Sequence, residues 1–380
     1  MPKAKTDDTS TAFTAVDLFC GAGGFSLGLE RAGFDVRLAV DSWQLAVDSY
    51  EKNFKHPVLC RDLASMTGRE LLRAAGATKG EIDLVVGGPP CQGFSIQRIG
   101  ADHDVRNSLV LEYARLLGEI APRLFIMENV PGLMGKRGSE LFHAFLDAVD
   151  DAGYETQSHV VNAADYGAPQ LRKRVVVLGR RRSEHRPFLL PAAKCSPEAY
   201  VTVGDAIGDL PSPPPPEELK PRDPLHRQTR LSPLNRERLR HIPPGGGMEN
   251  LPVHLRVDCH KAGAEKIGHR YVYGRLAADR PAGTITARFD SFTRGKFAHP
   301  VEDRNITLRE GARLQTFPDS FGFKGNQEDI ACQIGNAVPP VLAEALARAA
   351  LQALTTDAPV ARSRSRRQPR QVALFPGTID

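Results

Sequence analysis

Between residues 13 and 181 the sequence alternates short apolar runs with helix-patterned segments, and that alternation restricts the fold more than any other feature. The runs are "FTAVDLF" (Phe13–Phe19), "VRLAV" (Val36–Val40, ending at Asp41), a short one in "HPVLCRD" ending near Asp62, "IDLVVG" (Ile82–Gly87) and "RLFIMENV" (Arg123–Val130). Between them lie "FSLGLERAG", "WQLAVDSYEKNF" and "SLVLEYARLLGEI", which read as helices. Two further strand-like runs follow in "HVVNAADYG" and "RVVVLGRR". Strands alternating with helices predict an α/β fold, a doubly wound and mostly parallel sheet covered on both faces.

The pattern then breaks. From about Arg180 to Arg280 the sequence is rich in Pro, Arg and Gly, with "LPSPPPPEEL" and "HIPPGGGMENLP" and little periodicity. Scattered Leu, Ile, Val and Tyr make this stretch a small, loop-rich folded unit rather than a linker. Helical patterning returns over 301–355 in "LREGARLQTF" and "PPVLAEALARAALQAL". The expected organisation is a main domain over 13–182, an irregular domain over 183–300, and a return to the first domain over 301–355. The ends, 1–12 and the basic 356–380 with "ARSRSRRQPRQ", are expected to be disordered.

Composition excludes little. Of 380 residues, 41% are hydrophobic and 25% charged, ordinary for a globular chain. The start "MPKAKTDDTSTAF" has no signal-peptide apolar segment, and no uninterrupted apolar run reaches the roughly 20 residues a bilayer requires, so a cytoplasmic protein without a membrane partner is expected. A net charge of +5 permits a polyanionic partner without demanding one. The six cysteines, at 20, 60, 91, 195, 259 and 332, form no C-x-x-C pair, which argues against a zinc site or a disulfide scaffold.

Two carboxylates sharpen a weak signal in "DLFCGAGGFSLGL". Gly21, Gly23 and Gly24 sit in a strand–turn–helix context where a ligand can approach the backbone. Asp41, ending the second strand, suits ribose hydroxyls, and Asp62, after the third, can accept from an adenine amino group. Together they point to an adenosine-containing cofactor. Ser26 stands where the last glycine of G-x-G-x-x-G would fall, so the turn alone leaves a nicotinamide cofactor and S-adenosylmethionine both open.

The stretch "GGPPCQGFS" (Gly87–Ser95) places one thiol, Cys91, after the fourth strand, on a loop stiffened by Pro89 and Pro90. Glu128 ends the next strand in "ENV". A cysteine nucleophile and a carboxyl acid at neighbouring strand ends form a covalent-catalysis pair. In "QLRKR", Arg172 and Arg174 are two apart and share a strand face.

With "DLFCGAGGFSLGL", "GGPPCQGFS", "MENV", "QLRKR", "ITLREGARLQTFPD" and "QIGNAVPP" in this order, the chain resembles the C5-cytosine DNA methyltransferases. The motifs cover nearly all of it except about 183–270 and the two ends. The resemblance implies the S-adenosylmethionine-dependent methyltransferase fold, with 183–300 as target-recognition domain, and transfer of a methyl group to C5 of a flipped-out cytosine in double-stranded DNA. Cys91 is then the nucleophile that adds to C6, Glu128 binds N3 and the exocyclic amine, Arg174 holds O2, and Arg172 orients Glu128 or a phosphate. Phe19 stacks on adenine, Gly21, Ala22, Gly23 and Gly24 pass the methionine end, Pro90 borders the cofactor, and Asn336 closes the site. Gln92, Ser95, Arg106 and Thr286 are the implied DNA contacts. The family often has an aromatic directly after the ribose-binding acid; here Ser42 precedes Trp43, which becomes a displaced candidate. The expected partners are DNA and, acting separately, a cognate restriction endonuclease; the expected state is a monomer. Two rivals are a DNA-binding relative without catalysis, which has no need of Cys91, and a methyltransferase acting on transfer RNA, whose Cys-Phe-Thr signature is missing.

Overall fold

The computed structural model describes residues 12–90, 108–218, 222–256 and 272–355. Both expected disordered ends fall outside this set, apart from Ala12. The first half folds as β1 (Thr14–Leu18), α1 (Gly24–Ala32), β2 (Asp35–Asp41), α2 (Gln44–Asn53), β3 (Val58–Cys60), α3 (Gly68–Ala74), β4 (Leu84–Gly87), α4 (Ser108–Ile120), β5 (Leu124–Asn129), α5 (Ser139–Asp151), β6 (Tyr154–Asn162) and β7 (Lys173–Arg181).

These strands form one seven-stranded sheet in the order β3-β2-β1-β4-β5-β7-β6. The first five are mutually parallel, whereas β7 runs antiparallel to both β5 and β6. Strand order reverses between β1 and β4, and ligands of doubly wound sheets bind outside the carboxyl ends at such a switch. The register aligns those ends: Leu18 pairs with Val40 and Gly87, and Gly87 pairs with Met127. The run "HVVNAADYG" is only half strand, because the Asn162 side chain accepts from Ala164 N–H and turns the chain into a 3₁₀ turn, Ala163–Tyr166.

Each sheet face carries its own core. On one face, Leu71, Tyr113, Leu117, Phe142 and Phe145 from α3, α4 and α5 pack on Val16, Val85 and Phe125. On the other, Phe25 and Leu29 of α1 pack with Leu342, Leu346 and Ala350 of the last helix. That helix belongs to the returning segment, which contains α8 (Leu308–Leu314), α9 (Gln327–Asn336) and α10 (Pro340–Thr355). Taken together, 327–355 is apolar and long enough for a bilayer, but it breaks between α9 and α10 and most of it is core. Two glycines on one face of α1 allow the contact. A Cβ on Gly24 would lie 2.3 Å from the Val338 carbonyl oxygen, and one on Gly28 would lie 2.4 Å from Ala343 Cβ.

The middle of the chain has short helices α6 (Val203–Ile207) and α7 (Pro233–Arg240) and a two-stranded sheet, β8 (Gly274–Arg275) with β9 (Lys296–Ala298). Its small core holds Leu239, Ile242, Leu251, Phe292 and Ala298. Where ladders are few, Arg275 ties the loops instead. Its buried guanidinium donates to the carbonyls of Leu239, Ile242, His299 and Glu302 and to Asp303 Oδ1, at 2.6–2.9 Å. Val203, Ile207 and Leu225 pack elsewhere, with Tyr50 and Phe54 of the α2 region and with Ala312, Phe317 and Ile334.

The α1–α10 contact gives a direct test. Gly28→Val pushes side-chain atoms into the Ala343–Glu344 backbone and should lower unfolding free energy by about 1–3 kcal/mol in urea titrations. Gly118→Ala, in α4, should be neutral or stabilising by up to about 1 kcal/mol, since its Cβ meets only Ala152 Cβ at 3.4 Å.

Candidate active site

β1 ends at Leu18, and the chain then turns sharply. Phe19 has φ 62°, Gly21 φ 54° and Gly23 φ 101°. Left-handed backbone is cheap for glycine but costs an aromatic residue on the order of 1–3 kcal/mol, and such strain clusters at ligand sites. Asp41, ending β2, braces the turn: Oδ2 accepts the Gly21 N–H and Oδ1 the Trp43 N–H, both at 2.8 Å. Burial raises the pKa of this carboxyl, and the backbone donors oppose the rise. A Cβ on Gly21 would meet nothing within 4 Å, so the turn is open on that side.

The remaining expected cofactor residues divide between this corner and packing. Gly23 lies against the Phe54 ring, where a Cβ would come to 2.3 Å, and Gly24 against Val338, so both glycines are needed for close packing of the chain on itself. Ala22 is buried in the same cluster as Phe54. Asp62 is exposed beyond β3, and its Oδ1 caps the turn Leu63–Ser65 by accepting the Ala64 N–H at 3.0 Å. Trp43 precedes α2, half-buried. Asn336, exposed at the end of α9, donates to Cys332 Sγ at 3.2 Å. An open glycine turn, a strained aromatic beside it and a half-buried carboxylate at the next strand end fit a cationic adenosine cofactor.

Cys91, Gln92, Ser95 and Arg106 lie outside the described residues, as does the rest of 91–107. What leads up to Cys91 is described. Asn129, ending β5, donates from Nδ2 to the Pro89 carbonyl at 3.0 Å and accepts the Val130 N–H at 2.8 Å. Pro90 follows, half-buried. Beside the clamp, Glu128 is only 8% exposed, and its Oε1 pairs with Arg174 Nε at 2.8 Å. Its Oε2 faces the glycine pair, 3.6 Å from where a Gly88 Cβ would stand. Burial lowers the Arg174 pKa, and Glu128 works against that shift. The Arg174 Nη1 donates to the Lys173 carbonyl.

Arg172 requires a correction. Among the described residues it makes no hydrogen bond to Glu128, although it lies within reach of that carboxylate's charge. Its buried guanidinium donates to the carbonyls of Ile285 and Gly335, each at 2.9 Å, and of Ala337 at 3.1 Å. Burial pushes its pKa well below the usual guanidinium range. The Glu128 partner is Arg174. Thr286, beside Ile285, has its backbone against Gly335, where a Cβ would fall 2.2 Å from the Thr286 carbonyl carbon.

Three working residues escaped the sequence reading although each stands inside a quoted motif. Asn129 follows Glu128 in "MENV". Gln170 and Gln315, in "QLRKR" and "LREGARLQTF", bond to each other and bracket Arg172. Nothing in their residue type or spacing marked them, because the groups they hold lie far away in sequence.

A family model described as C-5 cytosine-specific DNA methylase matches residues 13–352. The Type II methyltransferase M1.HphI of Haemophilus parahaemolyticus is 37% identical over 353 residues, 91% of this chain and 88% of that protein. The Type II methylase M.HgiDII of Herpetosiphon aurantiacus is 35% identical over 339 residues, 88% of this chain and 93% of its own. Among solved structures, a DNA modification methyltransferase encoded within an E. coli prophage superposes with a TM-score of 0.71 at 27% identity, covering 91% of this chain and all (100%) of that one. A Spodoptera frugiperda DNMT2 mutant, at 17% identity and a TM-score of 0.60, covers 90% of this chain and 100% of its own, and shares the fold. The chain belongs to the C-5 cytosine-specific DNA methylases, enzymes that depend on S-adenosylmethionine.

Proposed function

We propose that the protein methylates C5 of a cytosine flipped out of a specific double-stranded DNA site, through a covalent bond between Cys91 and C6. The observation that carries this reading is the Glu128–Arg174 pair facing the Gly88–Pro89 loop from the adjacent strand end. Cytosine C5 is a poor nucleophile until something adds to C6. The Cys91 thiolate supplies that addition, with its electron pair forming the S–C6 bond. Glu128, held by Arg174, delivers or shares a proton at N3 as charge develops there, help typically worth about 10²–10⁴ in rate. The enamine so formed makes C5 nucleophilic. S-Adenosylmethionine, when bound, supplies the methyl group that C5 attacks. A base then removes the C5 proton, the electrons of that bond re-form C5=C6, and Cys91 leaves as thiolate. The Arg174 guanidinium, already beside the carboxylate, lies on the side proposed to receive cytosine O2.

Stacking hides C6 within a duplex, so flipping costs a few kcal/mol before chemistry begins. The loop-rich 183–300 segment is the proposed reader of the site, with Gln92, Ser95, Arg106 and Thr286 gripping DNA. Phe19, Asp41 and Asp62 are the proposed holders of adenine and ribose, with the open Gly21 turn beneath the methionine end. The Type II relatives make a separately acting restriction endonuclease the proposed companion, and the protein is proposed to act as a monomer.

Three experiments test this reading. DNA with fluorine at C5 of the target should trap the enzyme in a denaturation-resistant, S-adenosylmethionine-dependent complex, because no C5 proton remains to be lost. Cys91→Ser should abolish trapping and keep site binding, while Glu128→Gln should slow trapping by about 10²-fold or more. Normal trapping by Cys91→Ser would overturn the mechanism. Asn129→Ala frees the Pro89 carbonyl and should cost about 1–3 kcal/mol of stability, with slower trapping at unchanged DNA affinity. Finally, a hybrid carrying a relative's counterpart of residues 183–280 should methylate that relative's site; an active hybrid retaining the original site would place specificity elsewhere.

A further inference from the structure

Asp17, on β1, is a carboxyl group for which the methylation mechanism has no use. It is 1% exposed, and among the described residues no cation pairs with it. Its partner is Ser26, the residue standing where a dinucleotide-binding turn would have its third glycine. The Ser26 hydroxyl donates to Asp17 Oδ2 at 2.6 Å. The Tyr50 hydroxyl donates to Ser26 Oγ at 2.5 Å and meets His56 Nε2 on its other side. His56 Nδ1 lies 3.4 Å from Glu30 Oε1, and the Glu30 side chain is 44% exposed. A file of hydrogen bonds therefore runs from the buried Asp17 carboxyl through Ser26 and Tyr50 to His56, whose Nδ1 lies within ion-pair range of the partly exposed Glu30.

The surroundings of Asp17 are anionic or neutral. Asp41 on β2 faces it across the turn, the Cys20 thiol lies within its field, and Tyr50 on α2 and Tyr113 on α4 close the other sides. Burial first, and then Asp41, raise its pKa to about 7, against the pull of the Ser26 hydroxyl and N–H. His56, flanked by Glu30 and Asp35, is held neutral by burial, with its pKa lowered to about 4. An imidazole that passes a proton on without keeping it is what a relay requires.

We propose that Asp17 is a charge-matching residue of the cofactor site, giving up its proton through Ser26, Tyr50 and His56 when the sulfonium cofactor binds and regaining it once the methyl group is gone. The step balances. Protonated Asp17 donates to Ser26 Oγ, Ser26 to Tyr50 Oη, and Tyr50 to His56 Nε2. One shift along the file leaves the carboxylate and an imidazolium, whose Nδ1 proton passes to Glu30 or water. The file then points inward, from His56 Nε2–H to the carboxylate, and the same oxygen and nitrogen separations serve both polarities. In a low-dielectric interior a nearby positive charge strongly favours the anion, and loss of that charge reverses the shift. The consequence is discrimination: Asp17 favours the sulfonium cofactor over its neutral thioether product, S-adenosylhomocysteine, and so favours product exchange. The inference rests on the cofactor and not on the covalent step at Cys91.

Calorimetry on the full-length protein at pH 6.5, in phosphate and in imidazole buffer, counts the protons exchanged on binding. S-Adenosylmethionine should release about three-quarters of a proton, as expected for a group titrating near 7, and S-adenosylhomocysteine close to none. S-Adenosylmethionine affinity should rise about eightfold from pH 5.5 to 6.5, while product affinity stays flat. Asp17→Asn should abolish the release and flatten the profile. Tyr50→Phe keeps the ring and breaks the file; it should retain the proton count but slow its appearance at least about tenfold in stopped-flow with a pH dye. Equal proton counts for the two ligands, or release persisting in Asp17→Asn, would overturn the role of Asp17, and an unslowed Tyr50→Phe would overturn the relay. Failure of either ligand to bind would instead remove the cofactor site on which the inference stands.

Discussion

The buried guanidinium of Arg172 is the interaction on which the rest of the assembly depends. Three regions far apart in sequence meet on it and on its two glutamine neighbours. Gln170 donates to the Leu314 carbonyl and to Gln315, and accepts the Ile285 N–H; Gln315 donates to the carbonyls of Ile334 and Ala337. A buried charge is tolerable only when its surroundings replace water. Here the replacement comes from carbonyls, and that of Gly335 sits in the last turn of α9, at the negative end of the helix dipole. The exit from the irregular region, the end of α8 and the end of α9 are thereby fastened to the entrance of β7.

That fastening explains how a sheet domain can be built from both ends of a chain with an irregular region between. The α1–α10 contact through Gly24 and Gly28 closes one face of the sheet, but it says nothing about where the intervening residues lie. Arg172 and Gln170 fix Ile285, and Arg275 fixes the loops before and after it. Both devices use a planar cation against several carbonyls, suited to segments with too few strands to satisfy one another. The arginines of such a region are therefore not all available to DNA.

Much of the fold was legible in the sequence because it follows from periodicity. Each apolar run became a strand, and Asp41 and Glu128 stand at the strand ends where they were expected. The site was less legible, for an identifiable reason. Spacing places Arg172 and Arg174 on one side, yet cannot say which of them meets a carboxylate and which meets backbone carbonyls from residues 285–337. The same limit hid Asn129, whose partner is the Pro89 carbonyl on the neighbouring loop. Gly23 and Gly24 show the converse: the turn is open at Gly21, the proposed ligand side, while its neighbours are glycines because Phe54 and Val338 leave no room.

The antiparallel direction of β7 accounts for the remaining geometry. In a fully parallel sheet, the end of β7 would bring Arg181 to the carboxyl edge. Running the other way, β7 places its beginning there, directly after the Arg172 clamp. The register pairs Glu128 with Val176 and Asn129 with Val175, so Arg174 falls one step beyond the end of β5, beside the carboxylate that precedes Asn129. The parallel strands β3, β2 and β1 offer turns and carboxylates, suited to the cofactor. The β4–β5–β7 side offers the proline loop, Glu128 and a strand-borne arginine, suited to a base. Because Arg174 is only two residues from Arg172, the element that fastens the returning chain also sets the orientation of Glu128. A loosened clamp at Gly335 and Ala337 would therefore be felt at the carboxylate without any change to the residues that touch it.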